Sequence, residues 1–98
     1  MEQITFEHST FEFLDNDTVS YKVVVDDEGY QVTYVYVCEN VAVYTLPKSV
    51  IHLKFCKHFN QNVNDLPNTI THLIFGKWFN RKVNNLPNSI THLTFKNS

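Results

Sequence analysis

Three histidines, His52, His72 and His92, stand twenty residues apart, and each is followed by a leucine. Neutral imidazole is a common transition-metal ligand, so the recurrence raises the question of a metal centre. If the period reflects stacked extended segments, neighbouring rungs lie ~4.8 Å apart, and the ring nitrogens fall along a line rather than around one centre. No carboxylate recurs beside them. The pattern predicts a polar stripe that meets a partner. No metal and no other cofactor is expected. Stacked imidazoles repel when protonated, which predicts a loss of stability near about pH 6.

Other side chains with chemical potential point less far. Cys56 lies close to His52 and His58 in the sequence, the raw material of a nucleophile and its base, yet no third orienting group is visible and Gly76 occupies the equivalent position one period later. Cys38 and Cys56 form no C-x-x-C pair, and two cysteines fit a reducing compartment better than a disulfide framework. Glycine-rich phosphate loops and dinucleotide fingerprints are absent. The chain is expected not to be an enzyme. Lys54, Lys57, Lys77, Arg81, Lys82 and Lys96 form a basic strip with His58 and Trp78 among them. Nucleic-acid binders use such interleaving, but a solvated face that balances an acidic half explains it as well, and nucleic acid is the disfavoured partner. Trp78, if exposed, is the expected anchor of a protein contact.

The elements that must position these residues follow from the repeat. "LPKSVIHLKFCKHFN", Leu46–Asn60, returns as "LPNTITHLIFGKWFN", Leu66–Asn80, and again as "LPNSITHLTF", Leu86–Phe95. Apolar positions recur at Leu66, Ile70, Leu73, Phe75, Phe79 and Val83. Such spacing reads as a leucine-rich-repeat-like solenoid in which each turn buries its apolar face against its neighbours. Twenty residues per turn leave no room for a helix. Alternation turns Leu73 and Phe75 inward and His72 and Ile74 outward. Ladders of Leu53, Leu73 and Leu93 and of Phe55, Phe75 and Phe95 are expected inside, with the histidines outside. The outer face, carrying His52, His72, His92, Lys54, Ile74 and Thr94, is the expected partner-binding surface. Asn60 and Asn80 are expected to turn inward at the corners and bond the backbone.

The pairing of "LPNSITHLTF" with "FN" resembles the FNIP repeat, a relative of leucine-rich repeats known mainly from amoebae and giant viruses that infect them. The resemblance covers residues 46–98. It implies an interaction surface, and a protein partner that belongs to the host if the chain is viral. Where the family continues with proline and leucine, this chain has Asn62 and Lys82, then Val63 and Val83.

The first 45 residues carry a different pattern. Stepping back twenty from Leu53 and Phe55 reaches Thr33 and Val35, and the periodicity fades there. "YKVVV", Tyr21–Val25, and "YQVTYVYV", Tyr30–Val37, flank the turn signal "DDEG" and predict a β-hairpin. "VAVYT", Val41–Thr45, and "ITFEHSTFEF", Ile4–Phe13, offer further short strands. The division expected is an acidic β-rich cap over 1–45, then repeats at 46–65 and 66–85 and a partial one at 86–98. Lys22 is the only base of 1–45 against nine carboxylates, whereas 46–98 carries seven bases against Asp65 alone. The formal net charge of −2 hides that dipole.

At 43% hydrophobic and 14% aromatic the chain has enough apolar material for one small core. Its opening "MEQITFEHST" reads as no secretory leader, and no segment is apolar enough to span a bilayer, so a cytoplasmic protein away from membranes is expected. The function predicted is that of a non-catalytic protein–protein interaction module. The alternative is a self-assembling structural unit that joins its open carboxyl-terminal edge to the acidic cap of the next copy as a homo-oligomer.

Overall fold

A computed structural model describes residues 2–6, 9–13, 19–38, 43 and 46–96. The chain is mainly β. Among the described residues there are seven strands and no α-helix: β1 (Glu2–Thr5), β2 (Thr10–Phe13), β3 (Val19–Val25), β4 (Gln31–Val37), β5 (Val50–Phe55), β6 (His72–Phe75) and β7 (His92–Phe95). They form two sheets, a two-stranded β1–β2 hairpin and a five-stranded sheet ordered β3-β4-β5-β6-β7.

The predicted hairpin is present as β3 and β4, antiparallel in unbroken register from Val19↔Val37 to Val25↔Gln31. Its turn is closed by Asp26, whose Oδ1 accepts from the Glu28 and Tyr30 amides at 3.0 and 2.8 Å. Gly29 takes φ +89°, a conformation in which a Cβ is strained. "ITFEHSTFEF" gives the separate hairpin, with Ile4 opposite Phe11. Of the run Val41–Thr45 only Val43 lies within the described residues, where it is buried.

From β4 onward the sheet is parallel. His52, His72 and His92 pair along one register, as do Leu53, Leu73 and Leu93. The fading periodicity of the sequence is recovered one rung earlier with a shorter step. Val35 pairs with Leu53 and Val37 with Phe55, eighteen residues apart, after a register shift between Thr33 and Tyr34. β4 is therefore both the second strand of the hairpin and the first parallel rung.

Each period contains two turns. After the strand, the Phe59 amide bonds the Cys56 carbonyl and the Phe79 amide that of Gly76. After each Leu-Pro, the Val50, Ile70 and Ile90 amides bond the carbonyls of Pro47, Pro67 and Pro87. Proline fixes φ for such a turn and removes a donor that would go unpaired. Hydroxyls fasten one period to the last: Thr69 Oγ1 donates to the Val50 carbonyl and Ser89 Oγ to that of Ile70, both at 2.7 Å. The expected corner asparagine is present at Asn60, whose Oδ1 accepts from the Asn80 amide at 3.0 Å. Asn80 itself is exposed, so the inward placement expected of it does not hold.

The main core lies on one side of the large sheet. Val35, Val37, Leu53, Phe55, Leu73 and Phe75 are fully buried there with Phe59, Val63 and Ile70 from the return segments. Phenylalanines stack along it, with Phe59 and Phe79 6.4 Å apart and nearly parallel and Phe55 and Phe75 5.4 Å apart. Leu93 and Phe95 depart from the expected buried ladders. They remain 43% and 41% exposed, because edge strand β7 has a rung neighbour on one side only.

Candidate functional site

The opposite side of the sheet carries the histidines. Their rings form the expected ladder, with centroids 4.2 Å apart between His52 and His72 and between His72 and His92. The stack extends one ring further than the sequence reading, since Tyr34 lies 4.4 Å from His52 and 16° from parallel. The eighteen-residue step concealed Tyr34.

Threonines set the ring orientation. Thr71 Oγ1 and Thr91 Oγ1 lie 2.7 and 2.8 Å from the Nδ1 atoms of His72 and His92. Both hydroxyls also donate to carbonyls of the preceding rung, Thr71 to Ile51 at 3.5 Å and Thr91 to Thr71 at 3.2 Å. Which partner donates in each hydroxyl–Nδ1 contact follows the tautomer of the ring. The signal was the threonine that precedes two of the three histidines.

Part of this face is already covered. Ile4 and Phe6 of the amino-terminal hairpin are buried, with Phe11, Tyr34 and Tyr36 packed around them. Phe6 and Tyr34 meet edge to face at 5.3 Å, and Lys54 Nζ donates to the Thr5 carbonyl at 2.5 Å. Of the residues expected to contact a partner, Lys54 is thus half-buried and holds the chain's own hairpin. Burial, with Lys96 close by, holds its ammonium below the usual lysine range.

Ile74 requires a correction. Alternation points it away from the main core, but it is only 3% exposed, flanked in register by Lys54 and Thr94 and lying beside the residue that fastens the hairpin. The position that alternation turns outward is a buried one. His52 is half-buried between Tyr34 and His72, and Thr94 is half-buried too. What is open lies toward β7 and the following turns. His92 is exposed, and Trp78 is 54% exposed with its ring edge-on to His58 at 4.6 Å.

The environment of Cys56 opposes nucleophilic chemistry. The side chain is buried, and burial first, then a hydrogen bond with Cys38, pushes its thiol up to about 11. Nucleophilic cysteines require the reverse shift. Among the described residues no three histidine, cysteine or acidic side chains are grouped to hold a metal ion, and no helix is long and apolar enough to cross a membrane.

Neither the curated proteins nor the solved structures provide a match to this chain. The family comparison does. Residues 59–98 match the family model described as the FNIP Repeat, beginning on Phe59-Asn60 and spanning both later Leu-Pro segments with β6 and β7. With their period, stacked rings and inter-rung hydroxyl bonds, residues 59–98 of the chain are similar to the FNIP repeat.

Proposed function

We propose that the chain is a short leucine-rich-repeat-like solenoid acting as a non-catalytic protein-interaction module. Its partner meets the uncovered end of the outer face, at His92, Thr94 and Trp78, with His72 behind them. The observation that carries this reading is the exposure of Trp78 beside His58 on a turn anchored to its neighbour, where the Trp78 amide bonds the Lys57 carbonyl at 3.0 Å. An aromatic held rigidly in solvent is the residue type on which interface energy concentrates. Affinity capture should compare wild type with a Trp78→Ala, His92→Ala variant. Both side chains are exposed, so the variant is expected to fold and to lose a specific protein that wild type retains. Identical recovery by the two would sink this site.

A second reading rests on the edge strand. Leu93 and Phe95 present half-exposed apolar side chains where their counterparts Leu73 and Phe75 are fully buried. A second copy that supplies the next rung would cover them, and the acidic hairpin region facing the basic repeats favours a head-to-tail arrangement. Sedimentation at high micromolar concentration distinguishes the readings. Self-association abolished by Phe95→Lys supports assembly, and a monomer throughout removes it.

A further inference from the structure

Beyond the protein contact, the rungs enclose a second feature at the end of the sheet where β4 to β6 finish. A cavity of about 520 Å³ opens there, within the size range of small-molecule sites. Four lysines line it, Lys54, Lys57, Lys77 and Lys96, and among the described residues no carboxylate does. The repeat explains the grouping. Lys57 and Lys77 are equivalent residues one period apart, held on adjacent turns by the bond from the Trp78 amide to the Lys57 carbonyl, and the Lys96 amide bonds the Phe75 carbonyl at 2.9 Å. Lys96 thereby stands one rung from Gly76. A side chain at Gly76 would overlap the Cys56 carbonyl, so glycine is required there and the wall stays hollow.

The floor is apolar, built on Phe55 and the two cysteines, while Tyr36 and His58 add polar groups at the margin. Like charges gathered over an apolar floor repel, and Lys96 is among the causes of the lowered Lys54 ammonium. An anion bearing several charges relieves that repulsion. Lysines suit phosphate as point charges, and the exposed indole of Trp78, next in sequence to Lys77 and edge-on to His58, offers a stacking surface for a base.

We propose that this cavity binds the phosphates of a nucleoside di- or triphosphate, with the base against Trp78. Trp78 is the single tryptophan of the chain and touches His58 of the cavity lining, so its fluorescence reports on a base bound beside it. The experiment titrates the protein with ATP in the presence of a chelator, by calorimetry and by fluorescence, in parallel with inorganic triphosphate and a single-stranded RNA oligomer. Wild type should bind ATP with an affinity that falls as salt rises, more tightly than inorganic triphosphate. Lys57→Gln with Lys77→Gln should weaken ATP roughly tenfold or more, whereas Lys22→Gln with Lys48→Gln, outside the cavity, should not. Lys22, Lys48, Lys57 and Lys77 are all exposed, and thermal unfolding verifies that each variant is folded. Absence of ATP binding at millimolar concentration, equal affinity in the cavity variant, or no preference over inorganic triphosphate would overturn the assignment. So would RNA binding that strengthens with length while ATP stays unbound, which would mark an extended nucleic-acid surface instead.

Discussion

At the scale of single residues, Cys56 and Gly76 occupy the same rung position for opposite reasons. Cys56 is buried and its thiol is pushed up to about 11 from an ordinary 9.0, so the folded state holds the proton longer than the unfolded chain does. Its contribution to stability is complete below pH 9 and is lost as pH rises through 11. At about pH 8 the thiolate fraction is on the order of a hundredfold below that of an ordinary cysteine. Alkylation of Cys56 in the native protein should be slower by at least that factor than in urea, and comparable rates would show that the thiol is not held in this environment. Gly76 has no alternative, because its backbone lies against the Cys56 carbonyl and the Lys57 Cα. Gly76→Ala should destabilise the protein by about 1–3 kcal/mol in denaturant unfolding, the range of overpacking in a tight site. The equivalence of Cys56 and Gly76 was legible from the period. The crowding behind it was not, since a repeat shows which residues are equivalent and not which backbone atoms touch.

Among the elements, β4 and the amino-terminal hairpin limited what the sequence disclosed. β5, β6 and β7, with their ladders and the direction of Leu73, were readable, because one face per rung is apolar and the period is constant. β4 was readable as a strand and as half of a hairpin. Its role as a rung was hidden by the shift between Thr33 and Tyr34, which shortens the step to eighteen. The β1–β2 hairpin was legible as two short strands, but no local pattern says on which surface such strands lie, and that placement engaged Lys54 of the expected binding face. The hairpin has its own small sheet and its own apolar cluster. It should therefore open separately from the larger core. Phe6→Ala, which removes the ring contacts to Phe11 and Tyr34, is expected to abolish amide-exchange protection in β1 and β2 while β5 and β6 keep theirs. A uniform loss of protection across both sheets would show that the two cores are one cooperative unit.

Across the whole molecule, the charge division of the sequence falls between the hairpins and the repeats. The first 45 residues supply nine of the ten acids, and the basic repeats gather four lysines at one cavity. Charge segregation was evident from composition, but convergence depends on the register, which brings Lys54 and Lys96 together across 42 residues. The same register governs how the molecule resists force. Each rung of β5 to β7 is bonded to the adjacent rung, and the period is constant at twenty. Peeling from the β7 end should release the chain one period at a time, each step lengthening it by roughly 60–70 Å at the extended-chain limit. A stretched single molecule would then record β7 and β6 as equal increments and β5, leaving β4, as a shorter one, turning the two-residue difference in step at Thr33 and Tyr34 into a measurable length.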